Sequence, residues 1–266
     1  MSDAPTLLFL HAHPDDECIL TGATLATATQ LGFRTVVAYA SQGDAGETNK
    51  DLGGQTLGER RTAEALAACE VLGVDRVEWL GYADSGMADT DANGAPDAFC
   101  NADLDEATAR LLGLFGDENI SAVVGYDRNG TYGHPDHIQV HHLAHHCASA
   151  LRAGWVFDAT YDRDYLAGVD DVGYEQIDDN FASPRTELTH FCEGLAAFHT
   201  KFEAISHHQS QVPDDFDVEN PDLEGFAVRF GTEWYIAAET PLATPWGRLG
   251  ELFTPQAQWS GAPPMP

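Results

Sequence analysis

Along the first 160 residues, short continuous apolar runs alternate with longer stretches whose apolar positions recur every three or four residues. The first run, Thr6-Leu-Leu-Phe-Leu10, is rich in residues that favour strands and predicts a buried strand over 6–11. Similar runs predict strands over 35–41, 76–81, 120–126 and 155–160. Helical spacing predicts helices over 17–31, 57–72, 103–117 and 134–151. In the second helix, Leu57, Ala63, Leu66, Ala67 and Val71 form one stripe expected to face the core, and Gly73 ends it. Alternating strands and helices predict an α/β fold: a Rossmann-like, mostly parallel sheet with helices on both faces. The crossovers should be right-handed.

The pattern changes after residue 160. Residues 1–160 read as a Rossmann-like catalytic core, and 161–266 as the C-terminal portion of the same domain, completing the substrate pocket. Segment 162–189 is acidic and poorly periodic, and a helix is expected over 190–208. Phe226, Val228, Phe230, Trp234 and Ile236 alternate with polar residues and predict edge or hairpin strands over 226–238. The tail from about 254 should be irregular. Two Gly/Asp/Asn-rich loops, 42–56 and 82–102, follow strands. In open α/β sheets ligands bind at the carboxyl ends of strands, so both loops should rise beside the site.

Composition narrows the function classes. The 266 residues carry 43 Asp+Glu against 13 Lys+Arg, a formal charge of −30, and only Lys50 and Lys201 are lysines. Such a surface repels nucleic acid and anionic lipid. It suits a soluble protein and fits adaptation to high salt. Cysteines 18, 69, 100, 147 and 192 are odd in number and lack CxxC spacing, as reduced thiols do. The start MSDAP has no basic or apolar leader pattern, and no apolar stretch approaches the ~20 residues of a membrane span. A cytoplasmic protein with a small-molecule substrate is expected; a homo-oligomer is compatible with the sequence.

Two segments carry the chemistry. His11-Ala-His-Pro-Asp-Asp-Glu17 ends the first strand, and the proline fixes the backbone between His13 and Asp16. Tyr126-Asp-Arg-Asn-Gly-Thr-Tyr-Gly-His-Pro-Asp-His137 follows the fourth strand and opens a helix. A His-Pro-Asp unit stands in both. His134 and His137 are three apart and therefore side by side on a helical turn. A strand-end His and Asp with a helix-start His make a two-histidine, one-carboxylate set. It suits one zinc ion with open coordination positions, and equally iron(II). His141, His142, His145 and His146 lie further along the helix and read as satisfied or exposed histidines; Cys18 should point into the following helix. Asp136 could orient a ligand histidine or cap the helix.

These residues resemble the LmbE/PIG-L-like superfamily of zinc-dependent N-acetylglucosaminyl deacetylases. The resemblance rests on Ala12-His-Pro-Asp-Asp-Glu17 and Gly133-His-Pro-Asp-His137, on Arg61-x-x-Glu64 with the helix end Leu72-Gly-Val74, and on Ser210-Gln211. Asp84-Ser-Gly-Met87 with Asp89-Thr90, and the whole 126–137 segment, look like the mycothiol branch. That branch contains the deacetylase of a GlcNAc-inositol precursor and the mycothiol S-conjugate amidase. The acidic 162–189 segment and the 213–224 loop depart from it. The resemblance implies His13, Asp16 and His137 as zinc ligands and Asp15 as general base. It implies His134 and Tyr132 as groups that stabilise the tetrahedral intermediate or assist the leaving amine. Arg61 (or its neighbour Arg60), Asp84 and Glu47 would contact sugar or inositol hydroxyls.

The chemistry of the residues agrees. Zinc lowers the pKa of a water it holds towards ~7, and Asp15 can take a proton as that water attacks an amide carbonyl. A developing oxyanion could be met by His134. Either Asp15 or His134 could protonate the leaving nitrogen. Other readings are an amidase of S-conjugates, a deacetylase of glycosylated natural products, a metal phosphoesterase, and a non-catalytic sugar- or metal-binding protein. The chain lacks the phosphate-cradling glycine loop of a P-loop enzyme and the GxGxxG of a dinucleotide enzyme.

Overall fold

The computed structural model describes residues 5–169, 177–214, 216–243 and 245–261. Five parallel strands form the core: β1 (Thr6–His11), β2 (Arg34–Tyr39), β3 (Arg76–Trp79), β4 (Ile120–Tyr126) and β5 (Trp155–Thr160). Helices α1 (Asp16–Gln30), α2 (Leu57–Leu72), α3 (Leu104–Phe115), the short α4 (Gly130–Gly133) and α5 (Pro135–Cys147) connect them. Further on come α6 (Arg163–Leu166), β6 (His190–Glu193), α7 (Phe198–Ser206), α8 (Leu223–Phe230), β7 (Thr232–Glu239) and β8 (Thr254–Pro255). The sheet order is β3-β2-β1-β4-β5-β7-β6-β8, and each pairing beyond β5 (β5 with β7, β7 with β6, β6 with β8) is antiparallel. Helices α1, α2 and α7 pack together on one face, and α3 and α5 pack together on the other. The α/β expectation is met.

The order 3-2-1-4-5 has one consequence for function. Chain direction across the sheet reverses between β1 and β4, and a crevice opens at that switch point beyond the strand ends. Both His-Pro-Asp segments leave those two strands, so the topology alone brings them together.

The C-terminal third departs from the sequence reading. Residues 190–193 are strand β6, and the expected 190–208 helix begins only at Phe198. Segment 226–238 is not a hairpin: Phe226 to Phe230 lie on α8, and 232–239 form β7 inside the sheet between β5 and β6. Three residues of alternation also place Phe226 and Phe230 four apart on a helix, where their rings meet at 5.2 Å. The tail is partly regular, since Thr254–Pro255 pair with β6. Proline suits that edge, where no ladder donor is needed. Part of the acidic 162–189 segment, 170–176, lies outside the described residues.

Helix α2 also corrects the reading. It starts on a capping box: Thr56 accepts from the Glu59 N–H and Glu59 accepts from the Thr56 N–H. It ends at Gly73, whose φ of 77° suits glycine and where a Cβ would sit 2.7 Å from Thr29. Its expected apolar stripe is wrong, because Leu66 is 48% exposed while Arg61 and Glu64 are buried. The buried face is instead that of Gly58, Ala65, Ala68, Cys69 and Leu72, with Arg61 and Glu64 interrupting it towards the crevice.

Candidate active site

His13, Asp16 and His137 converge where β1 and β4 end. Asp16 receives both histidines: Nε2 of His137 lies 3.3 Å from its Oδ1, and Nδ1 of His13 lies 3.7 Å from its Oδ2. Donor atoms on one tetrahedral ion with ~2.0–2.1 Å bonds are ~3.3 Å apart, so these spacings fit a shared metal. All three residues are buried. His13 turns its other nitrogen, Nε2, to Asp136 (3.2 Å) and Asp84 (3.3 Å). That is the arrangement of a metal-ligating imidazole steered by an outer carboxylate.

Electrostatics point the same way. Burial opposes a charge on His13, but hydrogen bonds to Asp136 and Asp84 and the charge of Asp16 raise its pKa to about 10. Burial opposes ionisation of Asp16 too, yet His137 and His13 hold it well below the ordinary carboxylate range. A cation therefore belongs in this cluster: a proton on His13, or a metal that displaces it.

The remaining predicted residues share one space. Asp15, Glu47, Arg61, Asp84, Tyr132 and His134 all line a cleft of about 410 Å³ whose wall includes His13. That size and its polar lining suit a small ligand. Asp15 holds a φ of 111°, a strained value for any residue but glycine. Glu17 secures it by accepting the Asp15 N–H at 2.9 Å. The Asp15 carboxylate lies 3.3 Å from Nη2 of Arg61, and its pKa is raised, by burial first, against the lowering charge of Arg61.

Arg61, rather than Arg60, enters the crevice. It donates to the carbonyls of Pro14 (2.6 Å) and Gly43 (2.9 Å), whereas the more exposed Arg60 bonds Glu64 of its own helix. A Cβ on Gly43 would lie 2.5 Å from the guanidinium. Its bonds make Arg61 a holder of Asp15 and of the two loops as well as a wall of the cleft. Asp84 likewise reaches His13, accepting from the Ala45 and Gly86 N–H groups behind it.

His134 is the N-cap of α5. The Asp136 N–H donates to its Nδ1 at 3.1 Å, which leaves the proton of the neutral ring on Nε2. Burial and the charges of His13 and His137 lower its pKa to about 4. His134 is thus a neutral N–H donor on the cleft. Of the two roles open to Asp136, the structure supports the outer one: its carboxylate bonds His13 and both the N–H and hydroxyl of Ser85. The Tyr132 hydroxyl lies 3.2 Å from Nε2 of His137.

Four supporting features escaped the sequence reading. Ser85 anchors Asp136. Tyr126 stacks on His137 with ring centres 4.5 Å apart, while its hydroxyl bonds His11 and the Ala12 N–H. His208, fully buried, contacts Glu17 at 2.6 Å, and that carboxylate also accepts from the Cys18 thiol. Asp127 accepts the Thr131 N–H and fixes that residue at a φ of 60° before Tyr132. The quoted Glu17, Glu64 and Ser210 held a clue, since Glu64 accepts both the N–H and hydroxyl of Ser210. Behind Asp15 a second, apolar cavity of about 240 Å³ is lined by Ile19, Ile205, Val212, Phe216, Phe226 and Phe230; Asp15 and Gln211 border both spaces.

Comparison with known proteins gives consistent results. Residues 8–148 match the PIG-L family model, described as GlcNAc-PI de-N-acetylase. A Geodermatophilus obscurus protein named 1D-myo-inositol 2-acetamido-2-deoxy-alpha-D-glucopyranoside deacetylase is 42% identical, over 95% of this chain and 98% of its own. A Salinispora arenicola protein of the same name is 33% identical, over 95% and 94%. In fold, the chain is similar to N,N'-diacetylchitobiose deacetylase from Pyrococcus horikoshii, with a TM-score of 0.60, 20% identity, and coverage of 93% of this chain and 89% of that one. Among the described residues no helix is long and apolar enough to cross a membrane.

Proposed function

The chain belongs to the PIG-L (LmbE-like) family, and from that premise we propose that it is a metal-dependent N-deacetylase that removes acetyl from a GlcNAc-inositol. The observation that carries the reading is the convergence of His13, Asp16 and His137 at the wall of a cleft that also holds Asp15. Relatives named as 1D-myo-inositol 2-acetamido-2-deoxy-glucopyranoside deacetylases, matching over nearly the full chain, support that substrate.

His13, Asp16 and His137 would hold one ion, and two imidazoles with a carboxylate favour zinc, with iron(II) the competitor. The bound ion supplies Lewis acidity, polarising the amide carbonyl and making water a better nucleophile. The protein groups do the rest. Asp15, its basicity raised by burial and its carboxylate held beside Arg61, takes a proton from the attacking water. The Nε2–H of His134 and the hydroxyl of Tyr132 donate to the developing oxyanion. Asp15, now protonated, returns its proton to the leaving nitrogen, because neutral His134 has none to spare without becoming an anion. Glu47 and the loop bearing Asp84 face the sugar and inositol hydroxyls.

The test is release of a primary amine from GlcNAc-inositol by as-purified, chelated and zinc-restored protein. Chelator-sensitive release, restored by metal, supports the reading; metal bound near one per chain without release would overturn the substrate. The apolar cavity beyond Asp15 favours a second reading, cleavage of a larger acyl group such as the thioether-bearing one of a mycothiol S-conjugate. A higher kcat/KM for that conjugate than for the acetamide would establish it.

A further inference from the structure

Helix α5 carries a second pair of histidines beyond His137. His141 and His145 are four residues apart, so the helix sets them on one face, with ring centres 4.6 Å apart. Asp158 of β5 reaches them from below. Its Oδ1 lies 2.8 Å from Nε2 of His145 and 3.6 Å from Nδ1 of His141. One donor atom from each of the three residues lies within 4.8 Å of the others. Asp158 is buried, His141 half-buried and His145 exposed, so the group opens to solvent on one side.

We propose that His141, His145 and Asp158 form a second site for a divalent transition-metal ion, zinc in the first instance, separate from the catalytic cleft. Two histidines at i and i+4 on one helix face are a known means of presenting two nitrogens to one ion. A carboxylate in reach completes a three-ligand set with room for water on the open side. The nitrogen of His141 that faces Asp158 is Nδ1, which in the ion-free protein bonds the Tyr126 carbonyl at 2.9 Å; an entering ion takes Nδ1, and the proton of the neutral ring is then carried on Nε2. The contact between His145 and Asp158 has hydrogen-bond length. An entering ion replaces the proton between them and parts them towards the ~3.3 Å of co-ligands. The exposed His145 side chain is free to make that move. A chain of formal charge −30 also concentrates cations at its surface.

The site is not part of the hydrolytic centre. Along the helix, His141 and His145 lie ~6 and ~12 Å from His137 at 1.5 Å per residue, while two-metal catalysis needs ions ~4 Å apart. An ion here would clamp α5, the helix that delivers His134 and His137, to strand β5. The proposal does not depend on the substrate reading.

The experiment is zinc titration of the chelator-treated full chain by calorimetry, with metal analysis after dialysis. Wild type should bind two ions per chain, the second with a micromolar or lower dissociation constant. His145→Ala and His141→Ala should each weaken the second event at least tenfold and spare the first. His13→Ala should spare the second. Filling the second site should raise the Tm of wild type but not of His145→Ala, whose exposed position tolerates the change, and turnover of His145→Ala with the first site filled should stay within twofold of wild type. A single ion in wild type, a millimolar second event, or an unchanged second event in His145→Ala would overturn the proposal and leave an ordinary ion pair.

Discussion

Two buried charged clusters, both resting on helix α1, are built on opposite plans. In one, the ammonium of Lys201 meets Glu233 at 2.7 Å and donates to the carbonyls of Ile19 and Phe230. Glu233 in turn accepts from the N–H groups of Ala23 and Thr24 and from the Thr24 hydroxyl. Charges cancel one to one and the backbone satisfies the remainder, so the cluster is closed. In the other, Asp16, Asp84 and Asp136 crowd around His13 with Asp15 on the same cleft, and the ion pairs among the described residues set one guanidinium, that of Arg61, against these four carboxylates. That cluster has surplus negative charge and open coordination. Burial of like charges is costly, so the difference marks the second cluster as a place where a cation is needed. A closed cluster holds the fold; an open one holds an ion and does chemistry.

The largest effects should come from the open cluster. His13→Ala removes a ligand and should abolish both metal retention and amine release. Asp15→Asn keeps the ligands, so metal analysis should read as wild type while kcat falls ~10²–10⁴-fold, the usual worth of a general base. Near-normal turnover in Asp15→Asn would remove Asp15 from the mechanism and blur the comparison.

The closed cluster should respond in stability alone. Lys201→Met leaves Glu233 buried without its counter-charge, a loss of about 3–5 kcal/mol. For a domain of this size that lowers Tm by roughly 6–20 °C. The kcat of the protein still folded at assay temperature should be unchanged. Pairing it with Glu233→Gln removes the orphan charge and should recover part of the Tm. A Lys201→Met protein with full Tm and reduced kcat would show that the closed cluster serves the chemistry as well as the fold.

The two clusters also differ in how they could be read from the sequence. The open one was legible because its residues are packed into two short segments following β-rich runs: His13 to Asp16, and Tyr132 to His137. Local spacing and sheet topology together fix their meeting. The closed one was not, since Lys201, Glu233 and Thr24 come from three distant elements and each is unremarkable alone. The same holds for Ser85 behind Asp136 and His208 behind Glu17. The α2 stripe failed for a related reason. The buried face is the neighbouring stripe of Ala65, Ala68, Cys69 and Leu72, whose small residues weigh less in the pattern than Leu57 and Leu66, and Arg61 and Glu64 interrupt it where it meets the site. The strands β1 to β5 were legible as isolated apolar runs, whereas the expected 226–238 strands were right only from Thr232 on, because the alternating residues before it also fit the end of α8.

Protons test the comparison at intermediate size. In the open cluster a proton on His13, whose pKa is raised to about 10, competes with metal. Metal affinity should therefore fall as pH falls, and the acid limb of activity should move to lower pH as free zinc is raised. A limb insensitive to zinc would show that another group sets it. Stability has its own acid dependence through His11, whose pKa burial lowers to about 4 from 6.5 despite the nearby Asp16 and Glu17. The unfolded chain binds that proton first, so stability is full above about pH 6.5 and is lost as pH falls towards 4. One group contributes roughly 3 kcal/mol over that span. Denaturant midpoints measured from pH 7 to pH 4 should show this slope, and His11→Gln should flatten it.

The smallest expected effect separates the site from the helix that carries part of it. Thr56→Ala removes the cap of α2 without touching either cluster, and a cap of this kind is worth about 1 kcal/mol. A Tm lower by roughly 2–4 °C should follow. Arg61 sits in the second turn of that helix, but its guanidinium is fixed by the Pro14 and Gly43 carbonyls rather than by the cap. The kcat of Thr56→Ala should accordingly match wild type. If kcat instead fell together with the Tm, the position of Asp15 would depend on the start of α2, and the open cluster would extend to a residue that bears no charge at all.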